Sequence, residues 1–158
     1  MIAVVGCGNL NRQDDGAGPE VIRVLRAAGL EGPEVKLLDA GTDGMAVMFA
    51  ARGCRSLILV DAARSGVEAG AIYEVPGREL ARPYYPGLNL HDFRWDAALH
   101  AGRQIFGAAF PDDVTVFLIE AGQLDLGLGL SVPVAKAALV VAQRIGEIVA
   151  DRLAAGQQ

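Results

Sequence analysis

The sequence is poor in the residues that several common protein classes need. Only two of its 158 residues are lysine, only two are cysteine, and its formal net charge is −5. An acidic chain with so few lysines is a poor partner for nucleic acid, anionic membranes or polyphosphate. Two isolated cysteines provide neither a disulfide framework nor a four-thiolate metal site. These deficits favour a cytoplasmic protein that does not bind nucleic acid.

Long uninterrupted apolar runs are also missing, although 52% of the residues are hydrophobic. No window reaches the ~18 consecutive apolar residues of a membrane span. The first apolar run begins at residue 2, without a charged leader before it, so we expect no signal peptide and no membrane contact. The length predicts a single domain over residues 1–158 with a substantial core.

Four short apolar runs predict strands that are buried on both faces of a sheet. They are residues 2–5, 35–38, 57–60 and 114–119. Continuous apolar runs of this length are typical of a parallel sheet that is covered by helices. A fifth run, 71–75, alternates and predicts an edge strand, for which an antiparallel orientation is one option.

Helical patterns separate these runs, which predicts the fold class. The predicted helices are 20–28, 44–52, 91–106 and a last one that begins near residue 131. This order indicates an α/β fold: a three-layer α/β/α sandwich whose mostly parallel five-stranded sheet carries helices on both faces. The stretch 76–90 contains three prolines and predicts one long surface loop, which in a compact domain is often functional.

The stretch GCGNLNRQDDGAG, residues 6–18, follows the first predicted strand. Its adjacent Asp14 and Asp15 could hold a ribose or a metal, or could only shape a turn. A dinucleotide fingerprint would need a third glycine where Asn11 stands, and its pyrophosphate would meet two carboxylates. Walker, GxSxG and HExxH motifs are absent. These observations disfavour the nucleotide alternative and leave the metal and the turn open.

Further carboxylates follow the next two predicted strands. Asp39 and Asp61 come directly after them, so both should lie with Asp15 at the edge where parallel strands end. His91 lies at the end of the long loop and can reach that edge, whereas His100 faces the opposite side of the helix. Each carboxylate alone could cap a turn. Together with an imidazole, they suit a borderline divalent ion bound with open positions.

These motifs resemble those of the endopeptidases that mature the large subunit of nickel–iron hydrogenases. The family pattern after the first strand is roughly G-x-G-N-x-L-x-x-D-[DE]-G-x-G, and here it reads Gly6-Cys7-Gly8-Asn9 and then Asp14-Asp15-Gly16-Ala17-Gly18. The further matches are Gly41-Thr42, Asp61, His91 in LHDFRWDAAL, and GLS at 129–131. The resemblance covers essentially the whole chain in the same order and spacing.

The resemblance implies an activity and a set of site residues. It implies removal of a C-terminal peptide from the large-subunit precursor after nickel insertion, with nickel as the recognition element. The nickel would arrive with the substrate, so the free protein need not carry a metal. Asp15, Asp61 and His91 would then be both the nickel ligands and the catalytic residues. The residues implied to face the substrate are Gly6, Gly8, Asn9, Asp39, Gly41 and Thr42.

Two alternatives remain open at the level of the sequence. The chain could be a nickel- or nucleotide-binding module without peptidase activity, or another metal-dependent hydrolase. The group that drives hydrolysis is also open, because a nickel-polarised carbonyl, a metal-bound water and a carboxylate base all fit.

Two smaller predictions concern the surroundings of the site. Asp39 should accept backbone N–H groups of the turn that follows it and stay outside the ligand set. Tyr84 and Tyr85, between two prolines, either contact a protein partner or pack over a helix end.

Overall fold

The computed structural model describes residues 1–80 and 95–156. The strands are β1 (Ile2–Cys7), β2 (Val35–Gly41), β3 (Ser56–Ala63), β4 (Ile72–Pro76) and β5 (Asp113–Glu120). The α-helices of this part of the chain are α1 (Ala17–Ala27), α2 (Gly44–Ala51), α3 (Trp95–Phe106) and α4 (Val132–Ala155). All five predicted strands and all four predicted helices are therefore confirmed, although positions 91–94 of the third predicted helix lie outside the described residues.

The sheet has the strand order β2-β1-β3-β5-β4. Strands β1, β2, β3 and β5 are parallel, and β4 runs antiparallel to β5 at the outer edge. The predicted α/β sandwich with a mostly parallel sheet is thus confirmed, and the alternating run at 71–75 is an antiparallel edge strand. The parallel strands end together at one side of the sheet, called the carboxyl edge below.

Helices cover both faces of the sheet, which explains why its strands are continuously apolar. Val4 of β1 belongs to the core cluster with α1 and α4, and the next residue, Val5, belongs to the cluster with α2 and α3. Successive side chains of a strand point to opposite faces, so a strand between two helical layers has no polar side. None of the helices in the described part of the chain is long and apolar enough to cross a membrane.

Two of the parallel strands continue beyond their predicted ends. β3 runs to Ala63 because its last residues still pair with β5, with Asp61 opposite Leu118. β2 runs to Gly41, with Asp39 opposite Gly6 of β1. Asp39 and Asp61 are therefore among the last residues of their strands rather than in the loops after them.

Helix α1 lies unusually close to the carboxyl edge because glycines form the contact. A Cβ atom on Gly18 would fall 2.7 Å from the backbone nitrogen of Cys7 and 2.6 Å from the carbonyl oxygen of Val60. Gly6 of β1 has the same restriction, since a Cβ there would meet the backbone of Gly18. This contact holds the amino end of α1, and with it the end of the acidic loop between β1 and α1, against the strand ends.

The close packing predicts that Gly18→Ala is strongly destabilising. The added methyl group meets backbone atoms of two strands that cannot rotate away, so we expect a loss of about 3 kcal/mol in the free energy of unfolding. Gly146→Ala in α4 is the matched control, because a Cβ there meets nothing within 4 Å and should stabilise by up to about 1 kcal/mol. Urea denaturation measures both, and equal stabilities would contradict the packing described here.

Candidate active site at the carboxyl edge

The loop between β1 and α1 ends in a short 3-10 helix, Gln13–Gly16, which carries the two adjacent carboxylates. Asp14 is completely buried, and Asp15 is partly exposed. Neighbouring residues of such a tight helical turn point in different directions. The two acids consequently have different environments and can have different tasks.

Asp14 is buried and links the loop after β1 to the segment between β5 and α4 by hydrogen bonds. Its carboxylate accepts hydrogen bonds from the backbone N–H groups of Gly122 and Gln123, both at 2.8 Å, and from the Ser131 N–H at 2.7 Å and Oγ at 2.8 Å. Burial by itself raises the pKa of Asp14, but the bonds from Ser131, Gln123 and Gly122 outweigh it and lower the pKa below its ordinary value. The buried charge also lies at the amino end of α4, where the helix dipole favours an anion.

Asp15 faces outwards into a cavity of about 500 Å³. Its Oδ2 accepts the backbone N–H of Asn9 at 2.9 Å, and its Oδ1 accepts no hydrogen bond within the described part of the chain. This cavity, called the larger cavity below, is lined by Arg12, Asp15, Ala62, Ala63, Arg64, Trp95, Asp96, Leu118 and Leu124. One carboxylate oxygen of Asp15 is therefore held in place while the other stays available.

Asp61 lies beside the same cavity. It is buried in the last part of β3, and its Oδ1 accepts the N–H of Ala62 at 2.8 Å. Ala62 and its β5 neighbour Leu118 line the larger cavity, and the 3-10 helix of Asp15 contacts β3. Two of the three predicted ligands thus lie at the carboxyl edge on adjoining elements.

The third predicted ligand, His91, lies outside the described residues. Within residues 1–80 and 95–156, no three histidine, cysteine or acidic side chains come together to hold a metal. The three-ligand set remains a prediction.

A smaller cavity of about 230 Å³ lies next to the first. Its lining is Gly8, Asn9, Leu10, Asp39, Gly41 and Thr42, which includes five of the six residues predicted to face the substrate. Asp39 Oδ1 accepts the N–H of Gly41 at 2.9 Å, as predicted for the turn after β2. The sixth residue, Gly6, is buried beneath the loop and packs on α1.

Asn9 connects the two cavities. Its N–H group donates to Asp15, which lines the larger cavity, and the residue itself lines the smaller one. Gly8, just before it, donates its N–H to the carbonyl oxygen of Gly41 at 2.8 Å. The first loop is therefore hydrogen-bonded to Asp15 at the larger cavity and to the end of β2 at the smaller one.

A buried glutamate fixes the turn after β3. Glu120, at the end of β5, accepts the N–H of Ser65 at 2.8 Å, its Oγ at 2.9 Å and the N–H of Gly66 at 2.9 Å. Burial alone raises the pKa of Glu120, but the bonds from Ser65 and Gly66 outweigh it and lower the pKa below its ordinary value. This turn carries Arg64 into the larger cavity.

Several of these residues are not identifiable from the sequence. Asp14 stands in the conspicuous acid pair, but only the fold shows that it faces inwards towards Ser131. Arg12 and Trp95 lie within stretches quoted above without a predicted role, and Arg64 belongs to none of those stretches. The predicted loop begins later than expected, because Pro76 ends β4 and the next four residues form a 3-10 helix. The rest of that loop, with Tyr84 and Tyr85, lies outside the described residues.

The same substitution should destabilise the protein much more at Asp14 than at Asp15. Asp14→Asn places an amide among four donors that need an acceptor, so we expect a loss of about 2–4 kcal/mol in the free energy of unfolding. Asp15→Asn keeps an oxygen for its one bond from Asn9 and should cost less than about 1 kcal/mol. Equilibrium urea unfolding of both variants provides the comparison. A more stable Asp14→Asn than Asp15→Asn would contradict the assignment of the inward and outward carboxylates.

The lowered pKa of Glu120 predicts a pH-dependent contribution to stability. A carboxyl group whose pKa is lower in the folded state stabilises the fold above its ordinary value of 4.5, and this stability is lost as the pH falls through the lowered pKa. Wild type should therefore exceed Glu120→Gln in free energy of unfolding most at about pH 7, and the difference should shrink at about pH 3. A difference that stays constant over this range would show that the Glu120 charge does not hold the turn.

The fold is that of an α/β protein with a mostly parallel sheet, and two cavities lie at its carboxyl edge, where ligands of such sheets usually bind. Residues 19–148 match the family model described as HycI, hydrogenase maturation protease. Because this match covers most of the chain, the chain belongs to the hydrogenase maturation protease family.

Individual relatives agree with the family. The chain is 35% identical over 104 residues to the delta subunit of coenzyme F420 hydrogenase from Methanothermobacter thermautotrophicus, covering 63% of this chain and 65% of that subunit. Matches to three curated relatives, this one included, span 37% to 65% of those proteins' own lengths.

Solved structures share the fold over almost the entire length. The hydrogenase maturating endopeptidase HybD from E. coli superposes with a TM-score of 0.79 at 21% identity, covering 96% of this chain and 93% of HybD. The maturation protease HycI from Thermococcus kodakarensis gives 0.75 at 22% identity, covering 94% and 91%. At these identities, the likeness establishes the fold.

Proposed function

We propose that this protein is an endopeptidase that removes a C-terminal peptide from the nickel-loaded precursor of a nickel–iron hydrogenase large subunit. The observation that carries the proposal is that Asp15 lines the larger cavity and that Asp61 precedes Ala62, which lines the same cavity. Membership of the hydrogenase maturation protease family supports the substrate class. The buried thiols Cys7 and Cys54, which form no disulfide, are consistent with a cytoplasmic site of action.

Nickel is part of the substrate in this proposal. Asp15 and Asp61 supply carboxylate oxygens, and His91 supplies an imidazole nitrogen. Such an oxygen and nitrogen set suits a borderline divalent ion and leaves coordination positions for the precursor's own ligands. The protease thereby recognises a precursor that has received its metal, because only that precursor completes the coordination.

The two cavities can accommodate the segments of the precursor peptide that flank the recognised ion. The smaller cavity is lined largely by glycines and short polar residues, so a peptide backbone can approach it closely. Hydrolysis adds water across the scissile C–N bond, which requires a base for the proton of the water and a proton for the leaving amine. Asp15, with one oxygen held by Asn9 and the other available, is suited to contact the recognised ion beside this bond.

The proposal predicts a mass change in the precursor. Incubation with nickel-loaded large-subunit precursor should release one C-terminal peptide, observed by mass spectrometry, while nickel-free precursor should stay intact. Asp15→Asn, Asp61→Asn and His91→Gln should each lower the rate by about 100-fold or more. His100→Gln is the matched control, since that residue should face away from the site, and it should process normally.

Two outcomes of this experiment would contradict the proposal. A nickel-loaded precursor that binds but keeps its full mass would favour a nickel-binding module without peptidase activity. Normal processing by a correctly folded Asp15→Asn variant would remove Asp15 from the site.

A further inference from the structure

We propose that Arg64 and Arg12 form a carboxylate-binding subsite in the larger cavity, which recognises an acidic group in the C-terminal segment of the precursor. The inference rests on the proposed function for the identity of the peptide. It assigns a specificity role to two residues outside the predicted ligand set.

Both guanidinium groups keep their charge available at the cavity. Arg64 is exposed, lines the cavity and forms no ion pair with any residue in 1–80 or 95–156. Arg12 donates Nε and Nη2 to the carbonyl oxygen of Leu124, each at 3.3 Å, and a neutral carbonyl leaves its positive charge uncompensated. Arginine binds carboxylates through paired N–H donors, so this pair is suited to an acidic ligand.

The backbone on both sides of Arg64 is fixed by hydrogen bonds. The carbonyl oxygen of Ala63 accepts the N–H of Ala121 at 2.9 Å, and Ser65 donates to the carboxylate of Glu120. Glu120 is only 1% exposed, so the turn that presents Arg64 is anchored in the protein interior. A side chain on a rigid support loses less conformational freedom when it binds, which favours recognition.

Arg12 is presented from a similarly fixed segment. Its N–H donates to the carbonyl oxygen of Asn9 at 3.1 Å, and the next residue, Gln13, donates to the carbonyl oxygen of Gly127 at 2.9 Å. The two arginines therefore reach one cavity from the loops after β1 and β3. Both supporting loops are tied to the region that follows β5.

The larger cavity also contains two acidic groups. Asp15 and Asp96 line it, but neither forms an ion pair with Arg12 or Arg64 within residues 1–80 and 95–156. Both guanidinium groups therefore keep donors for an external carboxylate in the nickel-free protein. The apolar walls Leu118 and Leu124 strengthen the attraction for a carboxylate, because charges interact more strongly where water is partly excluded.

The recognised carboxylate has two potential sources in the substrate. It is either an acidic side chain near the cleavage point or the terminal carboxylate of the peptide. Both present the same planar pair of oxygens to a guanidinium group. Peptides that neutralise one source at a time distinguish them.

Trp95 provides the measurement, since it lines the larger cavity and is the only tryptophan of the chain. Its fluorescence is followed while a nickel-free synthetic peptide, identical to the C-terminal segment of the precursor, is titrated into the full-length protein. The peptide is used as the free acid, as the C-terminal amide, and with its acidic side chains replaced by amides. Wild type is compared with Arg64→Gln and with Arg78→Gln, an exposed arginine just after β4, away from the carboxyl edge.

We expect Arg64→Gln to weaken binding of the free-acid peptide by about tenfold. Neutralising the recognised carboxylate should weaken binding to wild type by a similar factor, and combining the two changes should cause little additional loss. Arg78→Gln should bind like wild type. Added salt should weaken the wild-type complex more than the Arg64→Gln complex.

The proposal is overturned if wild type binds none of the peptides, if Arg64→Gln binds like wild type, or if it weakens charged and neutral peptides equally. Because the titration contains no nickel, it is independent of peptidase activity. Charge-dependent binding without cleavage of the nickel-loaded precursor would overturn the proposed function and support the subsite. Normal cleavage together with charge-independent binding would overturn the subsite alone.

Discussion

The carboxylate of Asp14 is the constraint on which the carboxyl edge depends. It binds donors at positions 122, 123 and 131, more than one hundred residues away along the chain. These contacts close the loop after β1 onto the segment between β5 and α4. Asp15 can face the cavity with a defined orientation because its neighbour is fully satisfied inside the protein. One acid of the pair therefore provides the support that the other one needs.

The fold is predictable from the sequence because the burial of each strand determines which of its positions are apolar. β1 and β3 are apolar at nearly every position because helices cover both faces, and β4, at the edge of the sheet, has no buried position. The contact of Asp39 with Gly41 is also predictable, since it spans two residues and belongs to a common turn. In each case the responsible interaction is local or follows from the period of the pattern.

The site is only partly predictable, for an equally physical reason. Parallel topology alone brings Asp15 and Asp61 to one edge, whatever their neighbours are. The hydrogen bonds that Asp14 accepts from Ser131 and that Glu120 accepts from Ser65 depend on which loops meet in the fold, and no local sequence pattern predicts this. Arg64 lines the cavity because its neighbour Ser65 is hydrogen-bonded to Glu120 at the end of β5. The assignment of Asp15, Asp61 and His91 as a ligand set came from the family motif, and it stays a prediction.

The antiparallel strand β4 has a consequence for the behaviour of the protein at high concentration. Its outer side pairs with no other strand of the described chain, and such an edge can recruit a second copy and start aggregation. Glu74 in the middle of this strand forms an ion pair with Arg144 of α4 at 3.2 Å, and Pro76 ends the strand with a residue that has no N–H. A charge and a proline on an exposed edge both hinder pairing between strands, so the β4 edge of the sheet is protected against the addition of another strand.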